Sequence, residues 1–224
     1  MRSMSVLLFD IDGTLVSTGG AGGEALHDAF YQDFEIDGSH EVPLSGRTDR
    51  GIGRNLFEMH GLEDSDENWQ RLREGYLRRL PQYLPRFPGR VLPGVQTLLE
   101  RLALRSDTAL GLLTGNTMEG ARIKLGYFDL FRYFRFGGFG DEHHDRDGVA
   151  AAALRAARQH CNGHTEPVWV LGDTPLDITC ARSIGAKVLA VATGIHPRHE
   201  LATLKPDVLL DDLSDTEQVL TLLG

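Results

Sequence analysis

The chain has 224 residues, 41% of them hydrophobic and 25% charged, with a formal net charge of -9. That length holds one large domain or one domain with a sizeable insertion, and the balance excludes disorder and collagen-like repeats. No apolar run approaches the ~20 residues that span a bilayer, and the acidic balance disfavours a nucleic-acid surface. The first apolar run, residues 6–9 followed by Ile11, is broken by Asp10. It is too short and too acidic for a signal peptide, so a soluble cytoplasmic protein is expected. Cys161 and Cys180 are too few for a disulfide framework and lack metal-ligand spacing, which leaves two free thiols.

In chain order, short apolar runs at 6–9, 109–113, 168–171, 188–191 and 208–210 read as buried strands, with a weaker one at 133–136. Amphipathic stretches at 95–104, 118–125, 148–159, 176–184 and 216–223 read as the helices between and after the later strands. Strand–helix alternation of this kind predicts an α/β fold with a doubly wound, Rossmann-like parallel sheet. The rhythm breaks after the first strand. Nearly a hundred residues follow with no convincing strand, only helical stretches at 23–34, 49–60 and 68–80 and then a Pro-rich run from Pro81 to Pro88. The expected organisation is a core of residues 1–16 and 91–224 with a helical insertion at 17–90. The glycine run Gly19–Gly23 reads as its hinge, since it lacks the spacing of a dinucleotide loop.

The chemistry gathers where strands end. The first strand runs into Asp10-Ile11-Asp12-Gly13-Thr14. In extended chain, residues i and i+2 point the same way, so two carboxylates converge where open α/β sheets bind ligands. Carboxylates so close need a cation or a proton between them. The second strand ends in Thr114-Gly115-Asn116 just before a helix, where a hydroxyl and backbone N–H groups can cradle an anion. The third ends in Gly172-Asp173-Thr174-Pro175-Leu176-Asp177. Two carboxylates one helical turn apart suit an oxygen-seeking divalent cation. Asp141-Glu142-His143-His144-Asp145 reads as a solvated acidic loop rather than a metal cluster.

Asp10-x-Asp12-Gly13-Thr14, strand-terminal Thr114 and Gly172-Asp173-x-x-x-Asp177, in that order, resemble the haloacid dehalogenase superfamily of aspartate-nucleophile hydrolases. The nearest group by this resemblance is the phosphoglycolate-phosphatase-like branch, and the likeness is weaker in the insertion, which is similar to that superfamily's helical cap. The resemblance implies a magnesium-dependent phosphatase acting on a small phosphomonoester. Asp10 would be the nucleophile that forms an aspartyl-phosphate, and Asp12 the acid and then the base. Thr114 would bind phosphoryl oxygens, with Thr14, Gly115 and Asn116 beside it. Asp10, Asp173 and the Asp12 backbone carbonyl would hold Mg2+, supported by Asp177. No nucleic-acid or membrane partner is expected, and the protein would be a monomer or a homodimer.

One position departs from the family pattern. A basic residue, usually Lys, is needed ahead of the last acidic motif, and here Arg146 holds that place. Lys124, on the helix after Thr114, is the alternative. A compact ammonium fits between a carboxylate and a phosphate better than a guanidinium fork, which favours Lys124. Arg47 and Thr48, in Ser45-Gly46-Arg47-Thr48-Asp49, are the insertion's most site-like residues and are expected to meet a substrate anion. Asp12 is surplus to dehalogenation, and the absence of Lys from 15–90 excludes Schiff-base chemistry from the insertion. A sugar-phosphate mutase would usually carry Glu-Asp where this chain has Gly172-Asp173. A non-catalytic phosphate-binding regulatory module is the remaining alternative.

Overall fold

A computed structural model describes residues 4–36 and 43–224; residues 37–42 of the expected insertion lie outside the described residues. The first strand, β1 (Met4–Phe9), is followed by a two-residue strand, β2 (Val16–Ser17), and then by α1 (Ala21–Asp33), α2 (Asp49–Met59) and α3 (Asp66–Tyr83). The chain returns through β3 (Arg90–Val91) to the alternating pattern. That pattern is α4 (Val95–Ala103), β4 (Thr108–Leu113), α5 (Met118–Tyr127), β5 (Phe136–Gly138), α6 (Arg146–His160), β6 (Thr165–Gly172), α7 (Pro175–Ser183), β7 (Lys187–Val191), α8 (Arg198–Thr203), β8 (Val208–Leu210) and α9 (Thr216–Leu223).

Six strands form one parallel sheet in the order β5-β4-β1-β6-β7-β8. Winding starts at β1, runs outward through β4 and β5, and resumes on the other side at β6. The carboxyl end of β1 is therefore the switch point, where loops on either side diverge and leave a crevice. Side chains alternate across the sheet, as period-two geometry requires. Leu7, Phe9, Leu110, Leu112, Trp169 and Leu171 pack against α4, α5 and α9. Val6, Leu8, Ala109, Leu113, Val170 and Val188 face α6, α7 and α8. Helices α1 to α3 pack around a third cluster that includes Phe30, Phe57, Leu72 and Leu80, with Ile123 of α5 against it. Full burial of such a side chain stabilises by roughly 1.5–3 kcal/mol.

Several local expectations are corrected. The weak strand expected at 133–136 is a 3-10 turn at Phe131–Tyr133 followed by β5, three residues rich in glycine. Packing overrides propensity there. A Cβ on Gly138 would sit 2.3 Å from the Val149 carbonyl of α6, so only glycine lets that helix approach the strand. The third helix does not stop at residue 80 but carries Pro81 inside it and ends at Tyr83, with Leu80 and Leu84 buried beneath. The gap expected to lack strands contains the antiparallel pair Val16↔Val91 and Ser17↔Arg90, which ties the ends of the excursion together. Of the glycine run, Gly19 and Gly20 take positive φ and make the turn, while Gly22 and Gly23 belong to the first turn of α1. Helix α8, six residues after Pro197, had no periodic signal to reveal it.

Candidate active site

Asp10 stands one residue past β1 and is buried, its backbone N–H donating to the Leu171 carbonyl of the neighbouring strand at 2.9 Å. The chain then turns at Gly13, whose φ of 86° and tight surroundings exclude a side chain. A Cβ there would lie 2.3 Å from Asp173 Oδ2. Asp173, at the end of β6, is wedged from the other side by Gly194, where a Cβ would fall 1.7 Å from the same oxygen. Thr14 donates to Asp173 Oδ1 at 2.9 Å, and Thr193 donates to the Gly13 carbonyl at 2.5 Å. Sequence reasoning missed Thr193 and Gly194. Their signal is the one used for the other loops, a small polar pair just past a buried strand.

Asp177 sits in the first turn of α7, fully buried, in a capping box with Thr174. Its Oδ2 accepts the Thr174 N–H at 3.0 Å and hydroxyl at 2.7 Å, while its Oδ1 accepts from Arg146. Each of Asp10, Asp173 and Asp177 offers a carboxylate oxygen within 4.8 Å of the others. Burial pushes the Asp10 carboxyl up to about 7 against the pull of Arg146, with Asp177 and Asp12 adding to the rise. Asp173 is also held well above the usual carboxylate range, by burial and then by Asp177 and Asp10. Three hard oxygen donors with charge in excess of one guanidinium fit a small divalent cation.

The two basic candidates divide between the two carboxylates of the first motif. Arg146 opens α6 behind the N-cap Asp145, and its Nη2 lies 3.1 Å from Asp10 Oδ1 while bonding Asp177. Lys124, favoured from sequence as the cation beside Asp10, instead reaches Asp12, with Nζ 2.7 Å from Oδ2. The guanidinium suits its place because Nη2 alone carries two N–H donors and can face both carboxylates. Both cations are buried and both are held above their usual pKa. Burial opposes this, and Asp177 and Asp10 for Arg146, or Asp12, Tyr76 and Asp49 for Lys124, outweigh it.

Thr114 and Asn116 follow β4, as expected. Asn116 donates through Nδ2 to Asp12 Oδ2 at 2.8 Å and to Thr114 Oγ1 at 2.9 Å, and its buried Oδ1 has no hydrogen-bond partner. The buried Nε of Arg146 is unpartnered too. Gly115 accepts the Asp49 N–H at 2.7 Å, and a Cβ on it would lie 2.0 Å from the Arg47 carbonyl. So Gly115 is also where the inserted segment docks. Arg47 is exposed, and Thr48 uses its hydroxyl to cap α2 by accepting the Gly51 N–H at 3.0 Å. Asp141, read from sequence as part of a solvated loop, accepts the Met118 N–H at 2.7 Å and faces Arg73 of α3 at 3.6 Å.

Known proteins match this chain along nearly its whole length. The model of the family described as "haloacid dehalogenase-like hydrolase" matches residues 7–191. A phosphoglycolate phosphatase of Synechococcus elongatus is 29% identical over 97% of this chain and 98% of its own length. A pyrophosphatase PpaX of Anoxybacillus flavithermus is 26% identical over 97% of each chain. The crystal structure of a hydrolase from Pseudomonas syringae superposes with a TM-score of 0.72 at 20% identity, covering all of both chains.

Proposed function

The chain belongs to the haloacid dehalogenase-like hydrolase family, and we propose that it is a magnesium-dependent phosphatase that hydrolyses a small, phosphoglycolate-like phosphomonoester through an aspartyl-phosphate on Asp10. The observation that carries this reading is the convergence of Asp10, Asp173, Asp177 and Arg146 at the switch point, with Asp12 two residues on. A full-length relative named phosphoglycolate phosphatase supports the substrate class. Arg47, exposed and without an ion-pair partner among the described residues, supplies a guanidinium for a second anionic group on the substrate.

In this reading a carboxylate oxygen of Asp10 attacks phosphorus and the bond to the leaving oxygen breaks. Asp12 gives its proton to that oxygen, so the product leaves with a hydroxyl rather than an alkoxide. Asp12 then takes a proton from water as the water attacks the phosphorus of the aspartyl-phosphate. Inorganic phosphate departs and Asp10 is restored. Thr114, whose hydroxyl oxygen accepts from Asn116, keeps its own proton for a phosphoryl oxygen, and Thr14 holds Asp173 in place. Mg2+ held by Asp10, Asp173 and the Asp12 backbone carbonyl, with Asp177 behind, would offset the phosphoryl charge that opposes attack by a carboxylate. Arg146 keeps Asp10 and Asp177 together. Residues 17–90 serve as a cap over the crevice, and two buried free thiols fit a reducing, cytoplasmic setting.

The test is a panel of small phosphomonoesters with Mg2+, including phosphoglycolate and p-nitrophenyl phosphate, with pyrophosphate alongside. Turnover of phosphoglycolate that vanishes in Asp10→Asn supports the reading. Turnover of pyrophosphate alone would replace the substrate class, and no Mg2+-dependent turnover at all would leave the phosphatase reading without support.

A further inference from the structure

Helix α5 opens in a way its own sequence leaves unfinished. Its N-cap Thr117 accepts the Gly120 N–H through its hydroxyl at 3.1 Å. That is half of a capping box, in which an acidic side chain at the third helical position bonds back to the N-cap N–H. Helix α7 completes its own box with Thr174 and Asp177. In α5 the third position is Gly120, which has no side chain to offer. The missing half comes from the insertion. Asp49, the first residue of α2, accepts the Thr117 N–H through Oδ2 at 2.9 Å.

The same aspartate holds the preceding turn of the loop by its backbone. Its N–H donates to the Gly115 carbonyl at 2.7 Å, and the next N–H, from Arg50, donates to the Gly140 carbonyl at 3.3 Å. The approach is tight, since a Cβ on Gly140 would lie 2.0 Å from the Gly115 carbonyl oxygen. Asp49 is buried and therefore brackets Asn116 from both sides, through Gly115 and through Thr117.

In a planar trans peptide the C=O and the N–H point opposite ways. Anchoring the Gly115 carbonyl on Asp49 turns the Asn116 N–H away from the insertion and toward Thr114, whose Oγ1 accepts it at 3.3 Å. The Asn116 side chain donates to the same oxygen at 2.9 Å. With both lone pairs engaged, the proton of the Thr114 hydroxyl is what that group has left to give. Glycine at 115 lets this peptide turn readily once it is released. We infer that Asp49 is a positioning residue for the phosphoryl cradle. Docked on the core, it holds the Gly115–Asn116 peptide so that Thr114 presents its proton to a phosphoryl oxygen. This inference rests on the phosphoryl-binding role given to Thr114 above.

The experiment measures the inhibition constant of inorganic phosphate against turnover of p-nitrophenyl phosphate with Mg2+. That constant is independent of the fraction of folded enzyme, so a merely structural loss leaves it unmoved. Thr114→Val is the benchmark and should raise it. Asp49→Ala keeps the N–H but loses the bond to Thr117, and is expected to raise it about three- to tenfold, the worth of one hydrogen bond. Asp49→Pro loses both contacts and should raise it further. Proline fits there, because the position opens a helix and Thr48 before it is extended at φ -85° and ψ 146°. Asp49→Asn retains the N–H and an acceptor, and should recover most of the loss seen in Asp49→Ala. A shifted benchmark with unshifted Asp49→Ala and Asp49→Pro overturns the inference and leaves the function standing. Asp49→Asn as impaired as Asp49→Ala overturns it as well, by placing the effect on charge rather than on the hydrogen bonds. An unshifted benchmark, or a wild type that phosphate does not inhibit, overturns the phosphoryl-binding role of Thr114 and the inference with it.

Discussion

Nη2 of Arg146 lies 3.1 Å from Oδ1 of Asp10, and the same guanidinium nitrogen reaches Asp177 from the other side. One side chain therefore faces two buried carboxylates, Asp10 and an Asp177 that has no other cation partner among the described residues. Removing it should damage both. Arg146→Met is expected to lower kcat/KM by on the order of 10² or more. It should also destabilise the fold by about 3–5 kcal/mol, because buried carboxylates lose their partner. Arg146→Lys should recover part of each. Urea unfolding beside steady-state kinetics checks this, and a loss in Arg146→Met smaller than that in Lys124→Ala would move the principal cationic role to Lys124.

Asp10→Asn is isosteric and takes one charge out of a crowded acidic cluster. Activity should fall below a few per cent of wild type, since both the nucleophile and a cation ligand are lost. Stability should not fall with it. The melting temperature without metal is expected to match wild type within a few degrees or exceed it, and the circular dichroism spectrum should be unchanged. Residual activity well above that level in a clean preparation would dismiss Asp10 as the nucleophile.

Burial lifts the Asp49 carboxyl to about 6, against the lowering effects of Lys124 and the Thr117 N–H. A carboxyl whose folded pKa is raised binds its proton more tightly when folded. Its contribution to stability is complete below the unfolded value near 3.8 and is lost as pH rises through about 6. At neutral pH the ionised group thus costs the fold on the order of 2–3 kcal/mol. Asp49→Asn keeps an acceptor for Thr117, so it should melt several degrees above wild type at pH 7.5, with the gap closing toward pH 4. A constant difference across that range would show that the Asp49 charge is not what matters.

Adding Mg2+ should raise the melting temperature by several degrees at pH 7.5, and chelation should reverse the rise. Protons compete for Asp10 and Asp173, both of which are held above the usual carboxylate range. The shift should therefore shrink as pH falls from 7.5 toward 5.5. Asp173→Asn should abolish it at every pH, and a shift that survives that substitution would place the cation elsewhere.

What the sequence made legible was whatever local chemistry dictates. Buried strands such as β1 and β4 announce themselves by continuous apolar residues, and the strand-end aspartates by two-residue spacing. What stayed hidden depends on contacts between distant segments. β5 is Phe-Gly-Gly, a poor strand by composition, and exists because β4 and α6 accept nothing bulkier beside it. Likewise Lys124 and Arg146 were both legible as candidates, but which carboxylate each meets follows from helix placement.

The sheet order has a consequence for how the chain is made. β1 is flanked by β4 and β6, whose residues follow it by about 100 and about 160 positions. At ~5–20 residues per second of synthesis, the first apolar strand leaves the ribosome on the order of 5–20 s before its earlier neighbour exists. Through that interval Val6-Leu7-Leu8-Phe9 has two open hydrogen-bonding edges and no sheet to join, which is the condition that favours aggregation. The intervening helices can bury their own cluster around Phe30 and Phe57 as they emerge, so the nascent chain folds its middle before its beginning. A factor that shields β1 during translation would raise the yield of this protein more than one acting on the finished chain.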